Sequence, residues 1–181
     1  VELNPELAKI YSDYFPNDSV IVDDAHKYLE KHFESFDFIW ASPPCPSHSK
    51  FRKNITCNVT GEHGRQSNPI YPDLMLYEEI IFLQHYFKGK YAIENVQAYY
   101  DPLVKPQQLS RHWFWCNFIL PQKYFKPSLE IQGHSIKKYG FDLSQYKLTS
   151  RKDQIIRNCV DPDLGKYVFD MAYHIKQNKI M

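Results

Sequence analysis

The sequence predicts an α/β fold, a mostly parallel sheet with helices on both of its faces. Two observations carry that class. Over the first hundred residues, short apolar runs rich in β-branched and aromatic side chains alternate with stretches of helical periodicity. The run Phe36–Ala41 is apolar almost throughout, as a strand covered on both faces must be. A third observation is the chemistry at the end of each run. Ligands of open α/β sheets bind beyond the carboxyl ends of the strands. Here those places hold Glu2, Asp23 and Asp24, Ser42–Cys45, and Glu94–Val96, all polar or chemically special.

In chain order, Val1–Leu3 reads as the end of a strand, and the chain begins there with the look of a cut end. A helix runs from about Pro5 to Tyr14, with Asn4 as its cap and Pro5 at its first position, where a missing N–H costs nothing. Ser19–Val22 is a short strand-like run. A helix from about Ala25 to Phe33 then places Tyr28, Leu29, His32 and Phe33 on one face. After the strand Phe36–Ala41 comes a long irregular stretch, Ser42 to about Pro72. A helix from Asp73 to Phe87 carries the stripe Leu76, Ile80, Leu83 and Phe87, and Lys90–Ile93 is the third inner strand. Beyond Pro102 the pattern weakens. Trp113–Leu120 is a strand candidate, Pro121–Leu148 is turn-rich, and Lys152–Val160 and Leu164–Gln177 are helical.

With 181 residues the chain is long enough for one domain with a sizeable core. Its 43% hydrophobic and 16% aromatic content excludes a disordered chain. No apolar run of about 18 residues and no signal peptide occur, and four cysteines form no tight framework, which together point to a reducing, cytoplasmic setting. The Asn-x-Thr sequons at Asn54 and Asn58 then read as chance matches. A net charge of +1 announces no nucleic-acid partner, but charge clusters locally. From His48 to Arg65 the chain sets Lys50, Arg52, Lys53 and Arg65 against the single acid Glu62, which suits either a solvated loop or phosphate contacts.

Cys45 is the first chemical candidate. A lone cysteine is more often a small buried hydrophobe than a nucleophile. Two preceding prolines exclude regular structure, so this sulfur is held at the ligand end of a strand, and the basic loop downstream would favour its thiolate. Glu94 follows a strand as either a solvated end residue or a carboxyl that shares a proton with a ring nitrogen. Cys45, His48, Cys57 and His63 are of zinc-ligand type, yet their C-x2-H and C-x5-H spacing fits no finger pattern, and no metal is expected.

The stretch from Ala41 to Ser49, Ala-Ser-Pro-Pro-Cys-Pro-Ser-His-Ser, resembles the nucleophile motif of DNA cytosine-5 methyltransferases. Glu94-Asn95-Val96 is similar to the Glu-Asn-Val motif that partners it about fifty residues later. Arg111-His112-Trp113 stands where that family keeps an arginine motif. Enzymes that methylate amino groups of bases carry Ser-Pro-Pro followed by an aromatic residue, and Cys45 in its place favours carbon methylation. The ordered match spans roughly residues 1 to 120.

The resemblance implies a Rossmann-like fold that uses S-adenosylmethionine, with DNA as partner. It makes Cys45, Glu94 and Arg111 catalytic. Glu2, Leu3, Asp24, Pro44 and Leu76 would contact the cofactor, Glu2 at the ribose hydroxyls and Asp24 at the adenine. Pro43, Ser49, Lys50, Arg52, Lys53, Asn95 and Val96 would contact the substrate. A cytosine flipped from the stack would be attacked at C6 by Cys45, held at N3 and its amine by Glu94, and positioned, with Glu94, by Arg111.

Three departures from the family pattern set further expectations. The opening strand and Gly-rich loop are missing, so an upstream segment or a partner chain supplies them, or cofactor binding is impaired. Only one arginine of the later motif is present. The region after Leu120 is about sixty residues, too short for the usual recognition region. The resulting division is a catalytic core over 1–120, a short recognition-like segment over 121–150, and helices over 151–181 that pack back on the core, with the last near the cofactor through Gly165. A compact phage or bacterial enzyme of the restriction-modification kind is the leading reading. The alternative is a DNA-binding or regulatory subunit derived from one.

Overall fold

Tyr91, Ala92 and Ile93 are buried one after another, as the sequence of a strand covered on both sides requires, and they lie at the centre of the larger sheet. The computed structural model describes residues 1–50, 70–125, 131–132, 135–136, 140–149 and 151–173. They fall into two units, residues 33–123 with 170–181, and residues 1–32 with 124–169.

In the unit that contains Cys45, β1 (Phe38–Ala41) leads through the helix α3 (Met75–Tyr86) to β2 (Lys90–Val96), followed by β3 (Gln107–Leu109) and β4 (His112–Cys116). The sheet order is β1-β2-β4-β3. Only β1 and β2 are parallel, paired from Phe38 with Lys90 to Ala41 with Ile93. β4 runs antiparallel to both β2 and β3. The sheet is therefore mixed and small, against the expected mostly parallel one. The reason lies in the connections. A parallel neighbour needs a crossover, which α3 supplies once, whereas β3 and β4 are joined by a tight hairpin through Ser110, whose φ of 55° lies in the left-handed region.

The expected stripe of α3 is buried, from Leu76 through Ile80 and Leu83 to Phe87 beyond its end, and Tyr77 joins it. Gly89 allows the next turn to close. A Cβ there would stand 2.6 Å from the Asp37 carbonyl oxygen, the same oxygen that accepts the Lys90 N–H at 2.9 Å and starts the pairing of β1 with β2.

In the other unit α1 (Pro5–Tyr14) has the predicted start, with Pro5 at N1 and the Asn4 side chain accepting from Glu6 N at 2.8 Å. α2 (Ala25–His32) is capped by Asp24 Oδ1, which accepts from His26 N at 3.0 Å and Lys27 N at 3.3 Å. Val1–Leu3 and Ser19–Val22, expected as strands, form no ladder. They share one bond, from Glu2 N to the Ile21 carbonyl at 3.0 Å, and their apolar side chains Leu3, Ile21 and Val22 remain exposed. β5 (Ile131–Gln132), β6 (Ser135–Ile136) and β7 (Phe141–Asp142) pair antiparallel in that order in a three-stranded sheet. Ile10, Leu143 and Ile156 make a local core, with Tyr14, Phe141 and Tyr146 packed against it. α4 (Lys152–Arg157) ends earlier than expected, and α5 (Pro162–Tyr173) begins earlier. No helix among the described residues is long and apolar enough to cross a membrane.

Candidate active site

The segment after β1 is held by backbone and side-chain bonds from several directions. Trp40 Nε1 donates to Ser42 Oγ at 2.9 Å, and Asn95 Nδ2 donates to the Pro43 carbonyl at 3.0 Å. The Cys45 carbonyl accepts the N–H groups of His48 and Ser49 at 3.0 and 3.1 Å, so the chain makes a single helical turn directly after the cysteine. Ser47 Oγ accepts from Asp73 N at 3.0 Å just ahead of α3. The His48 carbonyl accepts from Tyr99 N at 3.1 Å, and Ser49 forms an isolated bridge with Ala98. Prolines on both sides of Cys45 carry no N–H for a ladder, so these bonds replace regular structure as the means of holding the thiol.

Glu94 was expected just beyond a strand. It lies inside β2, which continues to Val96 because β4 pairs alongside it as far as Val96 opposite His112. The last pair of β1 with β2 is Ala41 with Ile93. The Cys45 segment therefore leaves the sheet where Glu94 and Asn95 stand. Side chains alternate along a strand. Glu94 pairs with Phe114, which puts His112, two residues before Phe114, on the same face as Glu94. His112 Nε2 lies 3.7 Å from Glu94 Oε1, an ion-pair contact longer than a hydrogen bond, with the carboxylate side chain 10% exposed. Trp40 meets Phe114 edge to face at 5.9 Å. Asn95, 2% exposed, also accepts the Val96 N–H on its Oδ1 at 2.9 Å, so both ends of its amide are engaged.

Arg111 was expected to pair with Glu94. It is exposed in the hairpin turn before β4 and makes no ion pair among the described residues, and it is His112 that meets the carboxylate. The two differ because adjacent residues entering a strand point to opposite faces.

Burial pushes the Cys45 thiol above its ordinary pKa, and the negative charge of Glu94 pushes it the same way. The basic loop expected to favour the thiolate lies mostly outside the described residues. Of that loop, Lys50 is exposed, while Arg52 and Lys53 lie outside the described residues. So do Cys57 and His63 of the zinc-type set, together with both sequons.

Behind Cys45, His48 is 1% exposed, with its Nδ1 hydrogen-bonded to the Tyr100 hydroxyl. Burial lowers the His48 pKa, against the opposing pull of Asp73. Burial also raises that of Tyr100, and a hydrogen bond with Tyr77 adds to it. This chain of rings ties the turn after Cys45 to α3. Sequence reasoning weighed His48 only as a residue of zinc-ligand type and did not single out His112, so it read neither as a structural partner.

The remaining expected contacts are dispersed. Pro43 and Ser49 are half-buried, Pro44 is exposed, and Val96 is half-buried. Leu76 is 3% exposed within the core around α3 rather than open to a ligand. In the unit of residues 1–32 with 124–169, Leu3 is 70% exposed, and Glu2 Oε1 accepts from Asn4 N at 2.8 Å. Asp24 is held below the usual carboxylate range by the Lys27 and His26 N–H groups that it caps.

Comparison with known families agrees with this arrangement. The model of the family described as C-5 cytosine-specific DNA methylase matches residues 1–97, a stretch that includes Cys45 and Glu94 and ends before Arg111 and His112. Comparisons with curated proteins and with solved structures gave no match. Members of this family are enzymes that use S-adenosylmethionine and act on DNA. The match covers more than half of the chain, 97 of 181 residues, and takes in both Cys45 and Glu94, and the protein belongs to the C-5 cytosine-specific DNA methylase family.

Proposed function

We propose that this chain methylates C5 of a cytosine in DNA through a covalent bond from Cys45. The observation that carries the reading is that the Cys45 segment leaves the sheet beside Glu94, fastened to β2 by the bond from Asn95 to the Pro43 carbonyl, with the thiol feeling the Glu94 charge. A nucleophile and a carboxyl group in one half-buried corner match the needs of an aromatic ring whose C6 must be attacked while its N3 is held.

In this reading the target base leaves the stack and enters the corner. The Cys45 thiol loses its proton to water, and Sγ bonds to C6, which makes C5 electron-rich. Glu94 hydrogen-bonds N3 and the exocyclic amine and offsets the charge that develops on the ring. S-adenosylmethionine, when bound, supplies an electrophilic methyl group. After methylation, loss of the C5 proton breaks the bond from Sγ to C6 and frees Cys45. Burial and Glu94 keep the resting thiol protonated, which protects it from oxidation until a base is present.

Residues near the start of the chain suit the adenosine half of the cofactor. Glu2 commits Oε1 to Asn4, and among the described residues Oε2 has no partner, leaving an acceptor for ribose hydroxyls. Asp24 stays ionised as a helix cap, and exposed Leu3 and Val22 offer apolar surface to a purine ring. Lys50, Arg52 and Lys53 would lie along the DNA phosphates.

The test is incubation with DNA and methyl-labelled S-adenosylmethionine, followed by nucleoside analysis. Label in 5-methylcytosine with the wild type, and none with Cys45→Ser, is the expected result. Equal label from both proteins would refute the role of Cys45. DNA retention without transfer would instead favour a binding subunit.

A further inference from the structure

Between Glu94 and β4 the structure brings together two groups that the family's arginine motif does not account for. His112 Nε2 faces Glu94 Oε1 at 3.7 Å, and His112 Nδ1 is buried with no hydrogen-bond partner among the described residues. The strand register makes this contact a product of the sheet: Val96 pairs with His112 and Glu94 with Phe114, so the imidazole reaches the carboxyl diagonally across the antiparallel pair. Arg111 stands in the exposed turn.

We propose that His112 is the positioning residue of Glu94, holding one oxygen of its carboxyl and leaving the other for the base. The proposal rests on the reading of Glu94 as the group that receives the cytosine ring. A carboxyl that must meet both a ring nitrogen and an amine has to be fixed in rotation, and a single neighbour on Oε1 does this. The ring stands on the Oε1 side of the carboxyl at 3.7 Å, so the face of Glu94 turned towards Cys45 stays open to a base.

Among the described residues, few other titratable groups face this contact. From β2 the facing titratable group is Glu94 itself, and from the segment after β1 it is Cys45, whose thiol feels the Glu94 charge. β3, the strand on the other side of β4, carries Gln107, Gln108 and Leu109, none of them titratable. Nδ1, buried and without a partner, marks the ring as fitted for something other than a complete internal hydrogen-bond set.

The experiment compares wild type, His112→Gln and His112→Arg in single-turnover methyl transfer to DNA, with circular dichroism as a check on folding and DNA affinity measured separately. His112→Gln is expected to lose about 100-fold in the chemical step with a much smaller change in DNA affinity. His112→Arg, which restores a rigid donor against Oε1, is expected to recover most of that loss. A folded His112→Gln protein with the wild-type rate would overturn the proposal, and so would a folded His112→Arg protein that recovers none of the loss. If neither Cys45→Ser nor Glu94→Gln alters transfer, the reading of the whole corner fails. If both abolish it while His112→Gln does not, only the role of His112 fails.

Discussion

Replacing Asn95 with alanine removes both ends of one buried amide. Nδ2 no longer donates to the Pro43 carbonyl, a 3.0 Å bond, and Oδ1 no longer accepts the Val96 N–H, a 2.9 Å bond. Each bond contributes about 1 kcal/mol net, and partners left unsatisfied in a buried setting add to the loss, so Asn95→Ala is expected to cost about 2–3 kcal/mol. For a chain of this size that lowers the melting temperature by about 5–10 °C. The kinetic effect should be larger than the stability effect suggests. Pro43 is two residues from Cys45, and release of its carbonyl lets the thiol drift from the attack position, where a displacement of about 1 Å costs on the order of 100-fold in rate. Thermal unfolding by circular dichroism and single-turnover transfer below the melting range measure the two effects separately. Asn95→Asp provides the control. It retains an acceptor for Val96 N but sets a carboxylate against the Pro43 carbonyl, and it should do no better than alanine. An Asn95→Ala protein that melts with the wild type and transfers at its rate would refute the tether.

Two more expectations arise from the charges around the corner. Glu94→Gln removes the negative charge that raises the Cys45 pKa, so site-resolved mass spectrometry should show faster alkylation of Cys45 by iodoacetamide at pH 8, while Cys116, its thiol pushed up to about 12 by burial, stays unreacted in both proteins; an unchanged Cys45 rate would mean that the carboxylate does not act on the thiol. His48, whose pKa burial lowers, binds its proton more readily in the unfolded chain. Its contribution to stability is therefore complete above the ordinary value of 6.5 and is lost as pH falls below it towards the lower folded value. Denaturation between pH 7.5 and 5 should show a steeper loss for the wild type than for His48→Gln, and parallel curves would contradict the assignment.

What the sequence could declare was local. The cap at Asn4, the helix entry at Pro5, and the buried stripe from Leu76 to Phe87 depend on residues a few positions apart, and the structure has them as read. The motif around Cys45 and the Glu-Asn-Val motif were legible for the same reason, as contiguous chemistry in a recognisable order. Pairing between distant segments was not legible. Val1–Leu3 and Ser19–Val22 have strand composition but no ladder, since composition shows that a segment can pair and leaves open whether a neighbour is in reach. The hairpin at Ser110 turned an expected parallel sheet into a mixed one, and that antiparallel pairing lengthened β2 to enclose Glu94.

The sequence by itself therefore named the candidate groups, a thiol between prolines and a carboxyl some fifty residues later, and placed the chain in a methylase family. Tertiary structure alone decided how those groups are held and charged. The register of β2 with β4 chose His112 over its neighbour Arg111 as the partner of Glu94, because a one-residue step along a strand reverses the face of a side chain. Burial beside Glu94 made Cys45 a resting thiol, because the energy of a charge depends on what surrounds it in space, and sequence order does not state that.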